Sequence, residues 1–196
     1  AGEMSSSTTE QEAMLFLSQH LEQLRRLEAK KSAGALDDEA LREWQELYRL
    51  VLPLYGQRHQ DLVEQRRALR IPFRLRLDVV NQAGENFHAM SVDVSSTGFA
   101  LTYIERLEID ERVQLKTMLP PMKWWQRIRP SILETAALVR WKDRGANRVG
   151  LEIAKEHDHV TVELETLIFQ DIRRRLGREL MLLSSQIHNL EEHLDD

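Results

Sequence analysis

Two short runs carry the side chains best suited to chemistry. Arg66, Arg67 and Arg70 fall within five residues, and Asp93, Ser95 and Gly98 within six. A guanidinium is a planar fork that pairs with a phosphate or a two-acceptor base edge and stacks on flat rings. The Asp93 carboxylate can accept from paired N–H donors, and the Ser95 hydroxyl adds one adjustable hydrogen bond. Gly98 allows positive φ, or a close backbone approach that a side chain would obstruct. Such a set suits an anionic, planar molecule. Neither Ser95 nor Asp93 has a partnered histidine in sequence that would imply a nucleophile, so the chain is expected to bind rather than to catalyse.

The charge distribution agrees with a compact ligand. The whole chain carries a net charge of −5, yet Glu64 to Arg76 holds five arginines and one acid. A local +4 on an acidic background suits one small anion better than a long polyanion, so neither DNA nor RNA is expected as a partner. The absence of cysteine fits a reducing compartment and excludes Cys-based zinc sites. His157, Asp158 and His159 form the one dense histidine cluster, where a polar loop is a better account than a metal site. The N-terminal AGEMSSSTTEQEAM has no basic segment leading into an apolar one, and no run approaches the roughly 20 apolar residues of a bilayer span. A cytoplasmic protein with no membrane insertion is expected.

These side chains need rigid elements to hold them, and hydrophobic periodicity divides the chain of 196 residues into three blocks. Met14, Leu17, Leu21, Leu24 and Leu27 give one helix with an apolar stripe, which Ser32, Ala33 and Gly34 end. Asp37 and Asp38 can cap a second helix through Leu41, Trp44, Tyr48 and Val51, until Pro53 and Gly56 interrupt it. A short helical segment from Gln57 to Arg66 is expected to follow. From Phe73 the period changes to two. Six short strands are expected, at 73–79, 88–94, 99–103, 113–119, 135–141 and 149–153, as in a small antiparallel barrel or sandwich. Between the fourth and fifth lies Pro120 to Trp125, an aromatic loop suited to plugging a barrel end or meeting a partner.

The last block is a long helix. From Leu176 its apolar residues step as a heptad seam through Leu180, Leu183, Ile187, Leu190 and Leu194. A helix over 161–194 would be roughly 50 Å long, so part of it must pack on the N-terminal helices, on a second copy, or on both. Gly177 would allow a close crossing. The fold class is therefore α+β: residues 1–63 form an N-terminal helical segment, 64–158 a six-stranded antiparallel β-barrel, and 159–196 a long C-terminal helix.

Arg66-x-x-x-Arg70 at the start of the barrel, followed after a strand by Asp93-x-Ser95-x-x-Gly98, resembles the PilZ domain family. Arg70-Ile71-Pro72, Leu138 to Trp141 and Arg148 to Ile153 add to the likeness, which covers about 65–158. The resemblance implies a bacterial receptor for cyclic di-GMP, bound through RxxxR and D/NxSxxG segments, with no cofactor and no metal. Arg66, Arg67 and Arg70 would then fork onto phosphates or guanine edges, and Asp93 would accept from guanine N1–H and N2–H. Ser95 would add a hydroxyl, and Trp141 could stack on a base or belong to the core. Gln65 stands where family members that bind an intercalated ligand pair often have a basic residue, which leaves stoichiometry open. Binding is expected to order residues 64–72, mobile when free, and so to reorient the helical segments. The competing reading is a scaffold that binds no nucleotide and assembles through the long helix, a possible homo-oligomer with an unknown downstream partner.

Overall fold

A computed structural model describes residues 4–57, 67–121, 131–154 and 158–194. The chain divides into two compact units, one of residues 1–67 with 169–196 and one of residues 68–168. All but Gln57 of the expected helix at 57–66, the loop from Met122 to Trp125, Arg66 and His157 lie outside the described residues, as do the side chains of Ile187, Leu190 and Leu194. Among the described residues no helix is long and apolar enough to cross a membrane. Nor does any group of three or more histidine or acidic side chains there suit a metal ion.

The helical unit follows the apolar stripes. α1 (Met4–Ser32) buries Leu17, Leu21, Leu24 and Leu27, and α2 (Asp38–Val51) buries Trp44, Leu47, Tyr48 and Val51. Asp37 caps α2, its carboxylate accepting from the Ala40 amide at 2.8 Å. The indole N–H of Trp44 donates to Glu28 Oε2 at 2.7 Å, which satisfies a polar atom on an otherwise apolar side chain. A 3-10 turn at Leu52–Tyr55 is capped by Gly56 in the left-handed conformation, φ 66°, its amide donating to the Leu52 and Pro53 carbonyls. α3 (Asp158–Leu194) has buried Ile172 and Leu176 and half-buried Leu180 and Leu183. No close crossing occurs at Gly177 among the described residues, since a Cβ added there would meet nothing within 4 Å.

One polar cluster ties the 3-10 turn to α3 within this unit. Asp171, its side chain 2% exposed, accepts from the Tyr55 hydroxyl at 2.7 Å, from Arg175 Nε at 2.9 Å and from Arg174 at 2.5 Å. Arg175 also lies over the Tyr55 ring, 4.3 Å from its centroid. Burial pushes the Asp171 carboxyl up, but the hydrogen bonds from Tyr55, Arg175 and Arg174 outweigh it and hold the group below its ordinary range. Burial, reinforced by Asp171, pushes the Tyr55 hydroxyl up, so it stays protonated and donates. A depressed carboxylate stabilises fully above its unfolded value, near 3.8, and loses that contribution as pH falls through the folded value. Asp171→Asn is therefore expected to destabilise by about 3 kcal/mol at neutral pH, because the two guanidiniums lose their buried partner. Denaturant melts should show that deficit constant down to about pH 4 and shrinking below it. A deficit already gone at pH 6 would contradict the assignment.

The second unit is the barrel. Its strands are β1 (Arg70–Pro72), β2 (Arg76–Val80), β3 (Asn86–Ser95), β4 (Gly98–Thr102), β5 (Arg112–Met118), β6 (Ile132–Asp143) and β7 (Arg148–Ile153). Six of them close in the order β3-β2-β5-β6-β7-β4 and back to β3, all antiparallel. Leu77, Val79, Val94, Leu101, Leu115, Ala137, Val139 and Val149 fill the interior.

A seventh strand adds to the expected six. The run that alternation places at 73–79 is one of two pieces: β1 pairs with the far end of β3, and β2 with its near end. Ser91 stitches the break between them, accepting from the Leu75 amide at 2.6 Å and donating to the Phe73 carbonyl at 2.5 Å. These bonds satisfy backbone groups that the interrupted ladder leaves over.

Candidate functional site

The two motifs meet through β1 and β3. Their register sets Arg70 opposite Ser95, Ile71 opposite Val94 and Pro72 opposite Asp93. Directly opposed residues share a face, with Cβ atoms about 4.5–5.5 Å apart. Ile71 and Val94 are both 0% exposed and point into the core. Arg70, Pro72, Asp93 and Ser95 therefore share the outer face, 23 residues of sequence notwithstanding.

A β-bulge is what turns the acidic motif outward. Along β3, Ala89 and Ser91 are buried and Ala89 opposes the core residue Leu77. Uninterrupted alternation would carry Asp93 and Ser95 inward with them. The pairing with β4 shifts between Ser91 and Asp93, leaving Val92 as the extra residue. Adding one residue reverses the phase, so Val94 takes the inward position and its neighbours face out.

The same device operates on β6. Leu133, Thr135, Ala137 and Val139 face inward, and Trp141 would continue the series. A register shift between Val139 and Trp141, with Arg140 extra, instead sets Trp141 opposite Gly150. Its indole lies flat on that glycine, since a Cβ there would come 2.1 Å from the ring. Half-buried, Trp141 is neither a core residue nor a free platform. Pro72, Asp93, Ala100, Gly150 and Trp141 thus form one transverse row of the outer face. Ala100 and Gly150 keep it low between Asp93 and the indole.

The remaining motif residues serve the fold as much as any ligand. Ser95 is 4% exposed; its hydroxyl accepts from the Thr97 amide and donates to the Gly98 carbonyl, each at 3.3 Å, shaping the turn between β3 and β4. Gly98 does not have positive φ. It is glycine because β7 passes over it, where an added Cβ would lie 2.0 Å from the Leu151 carbonyl oxygen. The obstruction that glycine avoids is the protein's own backbone. Arg70 is half-buried and Arg67 exposed, while Arg66 is outside the described residues.

Loose ends of the charge pattern are instructive. Arg140 donates to Glu152 at 2.5 Å and approaches Asp110 at 3.4 Å, and the Glu152 hydrogen bond raises its pKa. Its charge is thus spent within the barrel. Residues 68–72 also depart from the expected mobile segment: Ala68 and Leu69 are 3% and 0% exposed, and Arg70 to Pro72 are paired. Burial of Leu69 and Ile71 outweighs repulsion among the arginines. The two bulges, Ala100 and Gly150 are what sequence reasoning missed. The available signal was the phase break itself, an acid and a tryptophan falling where alternation calls for core.

A family model for the PilZ domain matches residues 64–170, more than half of the chain. No curated protein matches the chain. Solved structures similar to it include the Bacillus subtilis inhibitor of motility MotI/DgrA, 22% identical over 57% of this chain and 52% of that one, with a TM-score of 0.42. The chain therefore spans about half of that protein's length. The PilZ domain of CeSA from a cellulose-synthesizing bacterium is 17% identical over 50% of this chain and 94% of its own, with a TM-score of 0.40. The PilZ domain of YcgR from Escherichia coli with c-di-GMP is 15% identical over 59% and 96%, with a TM-score of 0.44.

Proposed function

The chain belongs to the PilZ domain family, and on that premise we propose that it is a receptor for cyclic di-GMP that binds without catalysing. The observation that carries the proposal is the register of β1 on β3, which puts Arg70 beside Ser95 and shares one outer face among Arg70, Asp93 and Trp141. In this reading Arg70, with Arg66 and Arg67 before it, forks onto the phosphodiesters. Asp93 accepts from guanine N1–H and N2–H, and the exposed part of Trp141 stacks on a base. Ser95 and Gly98 hold the turn that presents Asp93. Charge-assisted hydrogen bonds contribute on the order of 1.5–3 kcal/mol each, so three or four of them with stacking reach the roughly 8 kcal/mol of micromolar binding.

Calorimetric titration of the full chain with cyclic di-GMP is expected to give a saturable isotherm at micromolar concentration or tighter. A featureless isotherm would favour the scaffold reading.

Transmission is proposed to run through the residues just ahead of the barrel. Since 68–72 are already packed, ordering by ligand is confined to residues 64–67 and passes from there to the helical unit. Hydrogen exchange should find Leu69, Ile71 and Val94 protected with or without cyclic di-GMP, and added protection only before Ala68. Equal ligand-induced protection across 64–72 would contradict this.

A further inference from the structure

Arg148 stands on the same outer face as the proposed site, on the side away from Arg70. It is paired in register with Thr102 on β4 and Asp143 on β6, two residues before Gly150. Two residues along a strand advance about 6.7 Å, so Arg148 flanks the Trp141 ring at roughly that spacing, one row beyond Asp93. Arg70 lies one row beyond Asp93 in the opposite direction, opposite Ser95. The row through Asp93, Ala100, Gly150 and Trp141 therefore runs between two guanidiniums.

The surroundings leave Arg148 available. Three other exposed arginines of the barrel are neutralised: Arg106 by Glu85 at 2.8 Å, Arg140 by Glu152, and Arg144 by Glu105. The Arg148 side chain is exposed and has no hydrogen-bond or ion-pair partner among the described residues. Its register neighbour Asp143 is turned away, its Oδ1 accepting from the Ala146 amide at 2.9 Å in the hairpin turn. Removing the Arg148 guanidinium breaks no ion pair within the described residues.

Resting on the receptor reading above, we propose that Arg148 is a further ligand-binding residue, which takes the phosphodiester of cyclic di-GMP farther from Arg70 and so spans the ligand across the Asp93 row. Two forks on opposite sides suit a molecule with two separate anionic groups, and a ligand with one phosphate could not engage both.

The test is calorimetric titration of the full chain with cyclic di-GMP, beside Arg148→Ala, Arg148→Glu and the paired control Arg106→Ala. Arg148→Ala is expected to bind about tenfold more weakly and Arg148→Glu about a hundredfold, with Arg106→Ala unchanged. Melting temperatures should match the parent in all three, which separates a lost ligand contact from a lost fold. Parent binding with undiminished affinity in both Arg148 variants would overturn this assignment alone. No binding by the parent would overturn the receptor reading and this proposal with it.

Discussion

Gly98→Ala is expected to lower the barrel's stability by about 3 kcal/mol or more, the upper end for inserting one carbon into a packed site. The added Cβ would sit 2.0 Å from the Leu151 carbonyl oxygen and 3.2 Å from the Glu152 Cα, both backbone atoms that no side-chain rotation can clear. β4 and β7 would have to separate where Gly98 opposes Glu152, and the barrel closes through that ladder. For a unit of this size the loss amounts to a drop of roughly 10 °C or more in melting temperature. Calorimetric melts of the variant test it, and an unchanged transition would show that β7 does not lie so close. Any loss of ligand binding in this variant is then expected to follow the loss of fold.

Arg70→Ala is expected to behave in the opposite way, with cyclic di-GMP affinity falling roughly ten- to a hundredfold from the loss of one forked, charge-assisted contact. The fold should survive, because the neighbours that anchor β1, Leu69 and Ile71, are buried and untouched. Titration beside circular dichroism separates the two: native spectrum with unchanged affinity would remove Arg70 from the site. The contrast between Gly98 and Arg70 assigns different work to two residues of the same paired motif. One lets the strands close, and the other is proposed to face the ligand.

Much of this is legible in the amino-acid sequence. The stripe from Leu17 to Leu27, the Asp37 cap and the break at Gly34 are local signals, and local physics decided them. The barrel strands were legible because buried and exposed residues alternate along β2 and β5. What the sequence did not disclose is long-range. Whether Val92 or Arg140 is the extra residue of a bulge depends on pairing with β4 and β7, and each is an ordinary strand residue by itself. The consequence is large: without those two insertions, Asp93, Ser95 and Trp141 would face the core. Gly98 shows the same limit. Its type announced a special position, but only the overlying β7 backbone says which constraint applies. Segment 68–72 departs from the expected mobility because the arginine run around it signals repulsion while its energetics rest on Leu69 and Ile71.

The central claim is that the Asp93 row reads guanine between flanking arginines. Parallel titration of the full chain with cyclic di-GMP and cyclic di-AMP tests it most directly. Adenine offers neither the N1–H nor the N2–H that Asp93 would accept, and a site built around such donors discriminates strongly against a base without them. The account predicts saturable binding of cyclic di-GMP at micromolar concentration or tighter, and cyclic di-AMP at least about a hundredfold weaker. Equal affinity for the two, or heat from neither, would contradict it.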